Sequence, residues 1–286
     1  MPEGDTVRRT ANRLHAALAG ARVERAELRW GERDASPMLG STTTEVVSRG
    51  KHLLHRTDTG WTLHTHLRME GQWRIAAPGS PESAGRSRDV RALVATEAWT
   101  ALGLRLGVVE LLRTADEDTV VGHLGPDVLD PAFDAVGIAA TLRSDARPLA
   151  EALLDQRVVA GIGTFWASEG LFVERLFPWR PANDVPAEDL ARVLERIHRL
   201  MTVAVGHAIQ SSTGIRRLGQ NAYVHARSGR PCRRCGTTVR VAMVGTAPRE
   251  RTIFSCPACQ GGLAPTDDGR PQRPLGSGPR SGARRY

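Results

Sequence analysis

Two closely spaced pairs of cysteines constrain the fold of this chain more than any other feature. Cys232 and Cys235 form one Cys-x-x-Cys pair, Cys256 and Cys259 form a second pair after twenty intervening residues, and the chain contains no other cysteine. Two such pairs can close a tetrahedral site of four thiolates. The sequence therefore predicts one structural Zn²⁺ per chain, and it leaves no thiol for a disulfide or a catalytic nucleophile.

The segment between the cysteine pairs has the pattern of a hairpin. Residues 237–244 and 251–255 are predicted strands, joined by a turn at residues 245–248. Arginine is frequent and acidic residues are scarce between residues 225 and 260, which favours a nucleic-acid-binding finger over a protein-docking module. Residues 263–286, rich in Gly, Pro, Ser and Arg, predict a disordered basic tail that adds salt-sensitive affinity.

The start of the chain places a proline and a carboxylate just before a predicted helix. If Met1 is removed, Pro2 presents a secondary amine, which attacks an aldehyde carbon and forms an iminium directly. An α-amino group is far less protonated at neutral pH than a lysine. Glu3 is the adjacent candidate proton donor. Apolar and small residues at helical spacing predict a helix that begins at residues 5–6 and closes at Gly20.

Lys51 is the only lysine among the 39 lysine and arginine residues. Arginine keeps its proton at biological pH, whereas a lysine amine can exchange one. One interpretation of its retention in a chain that otherwise uses arginine is a role in proton transfer. The alternative is chance survival on a solvated strand end.

Charge and composition indicate the class of partner. The formal net charge is +8 and the isoelectric point is near 10.4, which favours a polyanionic partner and nucleic acid before membrane. No apolar run approaches the length of about 18 residues that a membrane span needs, and residues 1–20 lack the apolar core of a signal peptide. We expect a monomer in the cytoplasm, associated with the nucleoid.

The first part of the chain, up to residue 125, is predicted to be mainly β structure after the leading helix. Short runs with alternating or β-branched residues are separated by glycine and charged breaks, a pattern typical of an antiparallel sandwich. The predicted strands are residues 23–28, 43–47, 52–56, 61–64, 72–75, 90–95 and 104–112.

The composition becomes helical after residue 131. A helix at residues 149–154 is followed by the turn Ala160-Gly161-Ile162-Gly163, a second helix runs towards Val173, and a third begins near Asp184. Glycines before a helix leave backbone N–H groups that can bind phosphate, so Gly163 and Thr164 are candidate DNA contacts. The alternative is a tight interhelical turn without a ligand.

Five motifs in this order resemble the formamidopyrimidine-DNA glycosylase and endonuclease VIII family, and the resemblance covers nearly all of the ordered chain. The motifs are Pro2-Glu3-Gly4, Arg49-Gly50-Lys51, Gly125-Pro126-Asp127-Val128-Leu129, Ala160-Gly161-Ile162-Gly163 and the four-cysteine finger. The resemblance implies a bifunctional DNA glycosylase with AP lyase activity and DNA bound in a cleft between its domains.

The implied fold is α+β and has three ordered parts. An N-terminal catalytic β-sandwich with a leading helix occupies residues 1–125, and a linker with a helix-two-turns-helix DNA-binding domain occupies residues 126–224. A zinc-finger hairpin follows at residues 225–262, before the tail at residues 263–286.

The resemblance also implies roles for individual residues. Pro2 matches the nucleophile that forms a Schiff base at C1′ of the damaged nucleotide, and Glu3 matches the acid that helps to open the sugar ring. Lys51 matches the lysine assigned to β-elimination, and Arg251 matches the finger arginine that contacts phosphate and is associated with δ-elimination.

Enzymes of this kind flip the damaged nucleotide out of the helix and fill the gap with apolar side chains. Met69 matches the main wedge of the family, and Arg68 and His123 match neighbouring DNA contacts.

Three departures from the family pattern bear on lesion preference, on a preference for single strands and on the level of activity. Asp5-Thr6 replaces the usual Pro-Glu, so a second carboxylate near the nucleophile is displaced or missing. Thr164 replaces an asparagine and keeps a hydroxyl but loses an amide donor. Glu70 places a carboxylate directly after the wedge. A negative charge in the gap of the DNA is unfavourable unless the Glu70 side chain points away from the gap.

The resemblance is closer to the endonuclease VIII branch. We therefore expect removal of oxidised pyrimidines from damaged double-stranded DNA, with single-stranded or bubble DNA as alternative substrates. The competing interpretations are an AP lyase or a glycosylase directed at 8-oxoguanine and formamidopyrimidines on the same scaffold, and a non-catalytic protein that binds damaged DNA.

Overall fold

The computed structural model describes residues 2–30 and 34–272. The chain divides into two compact units. The first unit contains Met1–Pro131, Val159–Gly161 and Met201–Ala208, and the second contains Ala132–Val158, Ile162–Leu200 and Ile209–Tyr286.

The first unit is a β-sandwich with a leading helix, as the sequence predicts. Helix α1 (Gly4–Leu18) is followed by eight strands, and the short helix α2 (Asp118–Val121) comes after them. The strands are β1 (Arg25–Leu28), β2 (Thr43–Arg49), β3 (His52–Thr57), β4 (Trp61–His66), β5 (Gln72–Ala76), β6 (Val90–Ala95), β7 (Thr100–Leu104) and β8 (Val108–Arg113). They form two antiparallel sheets with the orders β2-β3-β4-β8 and β1-β6-β7-β5.

Helix α1 packs one apolar stripe into the core of this unit. Val7, Ala11, Leu14 and Leu18 are all nearly inaccessible and recur at the spacing of one helix face. They share a core with the inner faces of both sheets, including Leu53. Full burial of a leucine side chain contributes about 2 kcal/mol, so this stripe is enough to fix the helix on the sandwich.

The prediction of a single strand at residues 104–112 is wrong. Residues Thr100–Leu104 form β7 and residues Val108–Arg113 form β8, and the two strands belong to different sheets. The chain changes sheet at Arg105, whose φ is +48°, and at Gly107, where an added Cβ would lie 1.8 Å from Cγ of Arg68. Small residues with low strand propensity hid β7 in the sequence.

The second unit contains helices and the cysteine finger. Its helices are α3 (Ala135–Leu142), α4 (Leu149–Leu154), α5 (Thr164–Val173), most of α6 (Ala187–Val205) and the short α7 (Pro257–Gln260). Strands β9 (Arg240–Val244) and β10 (Arg251–Ser255) form the finger hairpin. Helix α5 is buried on every side from Phe165 to Phe172, which explains its lack of an amphipathic pattern.

The first part of the predicted tail is ordered, contrary to the expectation of disorder from residue 263. Asp267 forms a buried ion pair with Arg240 of β9. The side-chain amide of Gln272 accepts from the N–H of Val241 at 2.8 Å and donates to its carbonyl at 2.9 Å. These contacts offset the entropy that a Gly- and Pro-rich segment loses on ordering. Residues 273–286 of the predicted tail lie outside the described residues.

Within the described part of the chain, no helix is both long enough and apolar enough to cross a membrane.

Candidate active site

Three glycines of the first unit bring the two candidate catalytic segments together. The backbone N–H of Gly4 donates to the carbonyl of Gly161 at 2.9 Å, and a Cβ on Gly4 would lie 2.9 Å from Cα of Gly161. A Cβ on Gly50 would lie 3.4 Å from the nitrogen of Gly161. We call Gly4, Gly50 and Gly161 the glycine junction. It places the segment that contains Pro2 and the turn that contains Lys51 against the same backbone.

Glu3 and Asp5 are both buried at the start of helix α1. Glu3 is 1% exposed and extended, immediately before the first helical residue, and Asp5 is 2% exposed in the first turn. Pro2 is half-buried. Carboxylates near a helix N-terminus are stabilised by the helix dipole. Asp5 is thus a second buried carboxylate in the first turn of the helix that follows Pro2.

Asp127 fixes the turn that precedes Lys51. Its Oδ2 accepts the N–H of Gly50 at 2.8 Å and its Oδ1 accepts the N–H of Leu129 at 2.9 Å. Nη2 of Arg8 lies 3.6 Å from the same Oδ2. The carboxylate is buried, so these bonds are made in a low-dielectric environment where losing them is costly.

Four histidines form a cluster around His52, the residue after Lys51, and the sequence indicated only one of them, His123. The rings of His64, His66 and His123 lie with centroids 5.0, 4.9 and 6.3 Å from that of His52. Burial lowers the pKa of His52 to about 3, with further lowering by the neighbouring histidines, and lowers the pKa of His66 to about 4. Both rings are therefore neutral at pH 7.

The candidate wedge stands on an exposed loop between β4 and β5. Met69 is 68% exposed, which suits a side chain that inserts into DNA. Arg68 has a φ of +54° and its side chain crosses Gly107, where an added Cβ would collide with it. The N–H of Gly71 donates to the carbonyl of Leu67 at 2.9 Å and closes the loop.

Glu70 is drawn towards an arginine on a neighbouring segment. One carboxylate oxygen of Glu70 lies 3.4 Å from Nη1 of Arg105, and Nη2 of Arg105 lies 2.8 Å from Asp89. The arginine lowers the pKa of the Asp89 carboxyl through a hydrogen bond. Arg105 therefore neutralises part of the negative charge that follows the wedge.

The candidate phosphate-binding turn of the second unit lies at the start of helix α5. Gly163 occupies the N-cap position and therefore supplies no capping side chain, and Thr164 is the first helical residue and is half-buried. The side-chain amide of Gln156 donates to the carbonyl of Ile162 at 3.0 Å and fixes the approach to this turn. The N-terminus of an α-helix in this arrangement favours an anion.

Arg251 lies at the start of β10 and is exposed. Its Nη1 donates to the carbonyls of Arg249 and Glu250 at 3.1 and 3.0 Å, so the side chain folds back over the hairpin turn.

The four cysteines meet at the base of the finger hairpin. Their sulfur atoms all lie within 4.8 Å of one another, and Sγ of Cys235 is 3.4 Å from Sγ of Cys256. Tetrahedral bonds of about 2.3 Å to zinc would place such sulfurs about 3.8 Å apart. The N–H of Arg234 donates to Sγ of Cys232 at 3.4 Å, which stabilises a thiolate. The geometry and the donor set both fit a four-thiolate zinc site.

Two family models match the chain. The model of the formamidopyrimidine-DNA glycosylase N-terminal domain matches residues 1–107, and the model of the formamidopyrimidine-DNA glycosylase H2TH domain matches residues 124–215. The chain belongs to the formamidopyrimidine-DNA glycosylase and endonuclease VIII family.

Curated relatives place the chain nearer to the endonuclease VIII branch. A probable endonuclease 8 2 of Streptomyces coelicolor is 45% identical over 271 residues, which cover 94% of this chain and 98% of the relative. The DNA-(apurinic or apyrimidinic site) lyase Nei2 of Mycolicibacterium smegmatis is 38% identical, with 91% of this chain and 99% of the relative covered. The protein is a DNA glycosylase and AP lyase of base-excision repair.

Solved structures share the fold of this glycosylase. The formamidopyrimidine-DNA glycosylase of Lactococcus lactis, bound non-covalently to DNA containing an AP site, has a TM-score of 0.76 at 22% identity and covers 91% of this chain and 99% of its own. The MutM (Fpg) protein of Thermus thermophilus has a TM-score of 0.74 at 29% identity, and the match covers 92% of this chain and 100% of the Thermus chain.

Glu169 is a structural residue of the glycosylase that sequence reasoning missed. It is fully buried on α5 and accepts the hydroxyl of Ser212, and it also accepts the backbone N–H groups of Tyr223, Val224 and His225 at 2.7 to 2.8 Å. Burial raises the pKa of this carboxyl. A lone glutamate among the apolar residues of α5 was the available signal, because a buried carboxylate needs several donors.

Proposed function

We propose that this glycosylase removes oxidised pyrimidines from damaged double-stranded DNA through a Schiff base on Pro2 and then cleaves the strand by β,δ-elimination. The glycine junction is the observation that supports this proposal most directly. A close backbone contact, which side chains would prevent, holds the segment of Pro2 and Glu3 near the turn of Lys51. A nucleophile, an acid and a base are the three groups that the reaction needs.

In the first stage the amine of Pro2 attacks C1′, the bond between C1′ and the base nitrogen breaks, and the base leaves with the proton that the amine loses. Glu3 donates a proton that helps to open the sugar ring, which leaves an iminium between Pro2 and C1′. Glu3 directly follows Pro2 in the chain, and this adjacency supports its assignment as the proton donor.

In the second stage the iminium acidifies the C2′ proton. Lys51 removes this proton, the bonding electrons move towards the iminium nitrogen, and the 3′ C–O bond breaks with release of the phosphate. A second elimination releases the 5′-phosphate, and we assign Arg251 to phosphate binding in this δ step. The exposure of Arg251 leaves it accessible to DNA.

The DNA contacts are proposed on both units. Met69 fills the gap left by the flipped nucleotide, and Arg68 and His123, which are also exposed, contact the neighbouring DNA. In the second unit, the N–H groups near Gly163 and the hydroxyl of Thr164 bind a phosphate. The enzyme acts as a monomer on nucleoid DNA in the cytoplasm.

One structural Zn²⁺ at Cys232, Cys235, Cys256 and Cys259 would hold the finger. The metal supplies folding energy and no chemistry, because four protein thiolates fill the tetrahedron. The chain's own contribution is the hairpin that presents Arg251, together with the apolar cluster that Phe254 and Cys256 form with Phe172 of helix α5.

The preference for oxidised pyrimidines draws its support from the relatives. Relatives named endonuclease 8 or Nei2 are 38% to 45% identical to this chain, whereas those named formamidopyrimidine-DNA glycosylase are 29% to 34% identical. The latter group and the family model favour a second candidate function, removal of 8-oxoguanine and formamidopyrimidines on the same scaffold.

The chemistry is tested by borohydride trapping on a duplex with a single abasic site. The expected result is a covalent adduct that maps to Pro2 in protein whose intact mass shows loss of Met1. A Pro2→Gly protein is the control for the position of attachment. Binding without any wild-type adduct would overturn the Schiff-base mechanism.

The substrate class is tested separately, on matched duplexes, bubbles and single strands carrying 5-hydroxyuracil or 8-oxoguanine. We expect single-turnover release of the oxidised pyrimidine from the duplex to be at least about tenfold faster than release of the purine. Faster release of 8-oxoguanine would establish the second candidate function instead.

A further inference from the structure

The loop that carries the candidate wedge is held by His66, the last residue of β4. Nδ1 of His66 lies 2.9 Å from the backbone nitrogen of Arg68, and the carbonyl of His66 accepts the N–H of Gly107 at 2.8 Å. We call Leu67–Gly71 the wedge loop. His66 therefore fixes the start of the wedge loop through its side chain and joins it to the turn between β7 and β8 through its main chain.

The bond to Arg68 determines which nitrogen of the His66 ring carries a proton. A backbone N–H can only donate, so Nδ1 is the acceptor and bears a lone pair. In the neutral ring the proton is then on Nε2. Burial lowers the pKa of His66 to about 4, with further lowering by Arg68 and Lys51, so the ring is neutral and Nδ1 can accept at pH 7.

Arg68 has a backbone conformation that needs such support. Its φ of +54° is in the left-handed region, which residues other than glycine adopt at an energetic cost. A side chain that accepts the N–H two residues later is the pattern by which Asn and Asp stabilise turns. Here a histidine makes the same bond, and it offsets part of the strain at the residue directly before Met69.

The other fixed points of the wedge loop are Leu67 and Gly71. Leu67 is 2% exposed and belongs to the core of the sandwich, and its carbonyl accepts the N–H of Gly71 at 2.9 Å. An added Cβ on Gly71 would lie 2.3 Å from the same carbonyl oxygen, so this closure leaves no room for a side chain. Both ends of the loop are therefore fixed, while Met69 projects from it and is 68% exposed.

We infer that His66 is a positioning residue for the wedge, because its bond to the N–H of Arg68 holds the loop in the conformation from which Met69 enters the DNA. This inference rests on the proposed function, in which Met69 fills the gap left by the flipped nucleotide. A loop that is fixed in its binding conformation loses less conformational freedom when it binds. The bond therefore supports recognition of a missing base rather than binding to DNA in general.

Two variants at position 66 separate the acceptor from the ring. Asparagine and leucine have nearly the same shape, and Oδ1 of asparagine occupies the position along the side chain that Nδ1 occupies in histidine. His66→Asn therefore keeps an acceptor for the N–H of Arg68, whereas His66→Leu removes it. Both variants lose Nε2 and the edge-on packing of the ring on His52. A difference between them therefore reports the acceptor alone.

His15→Leu is the matched control elsewhere in the first unit. Nδ1 of His15 accepts the backbone N–H of Val46 at 3.2 Å, so this control also removes a bond between an imidazole and the main chain. His15 lies in the last turn of α1 and takes no part in the proposed site. Met69→Ala, alone and combined with each variant at position 66, shows whether His66 acts through the wedge.

Equilibrium binding of the full-length, zinc-loaded proteins is measured on two duplexes of the same sequence, one undamaged and one with a stable abasic analogue. We expect His66→Leu to bind the abasic analogue about tenfold more weakly than His66→Asn does. The two variants should bind the undamaged duplex equally, and His15→Leu should bind both duplexes as the wild type does. In the Met69→Ala background, His66→Leu and His66→Asn should bind the abasic analogue equally. Thermal unfolding checks that each protein is folded.

Equal affinities of His66→Leu and His66→Asn for the abasic analogue would overturn the inference, because the ring would then act only through its packing or through Nε2. A difference that persists in the Met69→Ala background would also overturn it, because His66 would then act on DNA without the wedge. If Met69→Ala binds the abasic analogue as tightly as the wild type, the wedge assignment of the proposed function fails instead. That failure is visible without any change at His66, so the two are distinguishable.

Discussion

The carboxylate of Asp127 accepts the backbone N–H of Gly50 at 2.8 Å, one residue before Lys51. A residue of the Gly-Pro-Asp motif thus determines the position of a lysine 76 residues earlier in the chain. The contact links two motifs that the sequence shows only as separate stretches, and it gives the Asp127 side chain a positioning role.

Asp127→Asn should slow strand cleavage and destabilise the protein. The oxygen of the asparagine amide can still accept one of the two backbone N–H groups, but its NH₂ group then faces the second N–H group, which is also a donor. The ion pair with Arg8 is lost as well. We expect a loss of about 1–3 kcal/mol in the free energy of unfolding and about tenfold slower cleavage of abasic DNA. Denaturant unfolding and single-turnover cleavage are the measurements, with the exposed Glu97→Gln as the control. Equal cleavage rates in Asp127→Asn and the wild type would contradict the positioning role.

Gly161→Ala should be far more damaging than Gly60→Ala. Both glycines have a positive φ, +100° and +76°, so both substitutions carry a backbone penalty of about 1 kcal/mol. Only at Gly161 would the new Cβ also lie 2.9 Å from Cγ1 of Val128, whereas nothing lies within 4 Å of a Cβ at Gly60. We expect a total loss of about 3 kcal/mol at Gly161, measured by thermal unfolding. Equal losses would show that the glycine junction tolerates a side chain.

Arg105→Ala should weaken DNA binding by exposing the charge of Glu70 beside the wedge. Exposed ion pairs contribute little to stability, so thermal unfolding should change by less than about 1 kcal/mol. Binding to a duplex with a stable abasic analogue should weaken about tenfold at low salt, and adding Glu70→Gln should recover part of this loss. If the double variant binds no better than Arg105→Ala, then Glu70 does not repel the DNA.

Stability should decrease as the pH falls from 7 towards 5. His55 is buried and its pKa is lowered by burial to about 4, below the value near 6.5 of an unfolded histidine. The unfolded state therefore binds more protons between these values, and the stabilisation present above pH 6.5 is lost as the pH falls towards 4. For His55 alone the free energy of unfolding should be about 2 kcal/mol lower at pH 5 than at pH 7.5.

His55→Leu isolates this contribution, because leucine does not titrate. The dependence of unfolding free energy on pH, measured by denaturant titration at several pH values, should be shallower in His55→Leu than in the wild type. Superimposable curves would mean that the buried imidazole does not resist protonation.

Metal removal should unfold the finger and leave the sandwich folded. Intact mass under native conditions should show one Zn²⁺ per chain, and Cys235→Ser should reduce this occupancy. Chelation should decrease duplex binding and increase amide exchange in β9 and β10, without changing exchange in β2, β3 and β4. If β9 and β10 stay protected from amide exchange after the metal is removed, then the Arg240–Asp267 ion pair and the apolar contacts are enough to keep the hairpin folded without zinc.

Much of the fold could be predicted because its signals are local. The spacing of Val7, Ala11 and Leu14 predicts helix α1, and two Cys-x-x-Cys pairs predict the cluster that the structure brings together. The predicted fold class, the sandwich and the finger hairpin are confirmed. Strand β7 escaped detection because Ala101 and Gly103 carry no strand signal without their partners.

The missing parts of the candidate site depend on contacts between distant residues. The sequence distinguished Lys51 and His123, but not the side-chain contacts of His64 with Glu110 and with His52. Those contacts exist only because β3, β4 and β8 are neighbours in one sheet. Sequence periodicity predicts that these strands exist and does not determine their register. The order of residues 263–272 similarly depends on Arg240, whose partner Asp267 lies 27 positions away. The roles of Pro2, Glu3 and Arg251 stay predictions.

Apart from the Asp127 carboxylate, which holds Gly50, the contacts of the glycine junction are made by main-chain atoms. Main-chain atoms are common to all residues, so substitutions in the surrounding surface can alter which lesions are accepted without moving Pro2 relative to Lys51. A redesign of substrate choice can therefore concentrate on variable side chains around the site, while the three glycines remain a fixed framework.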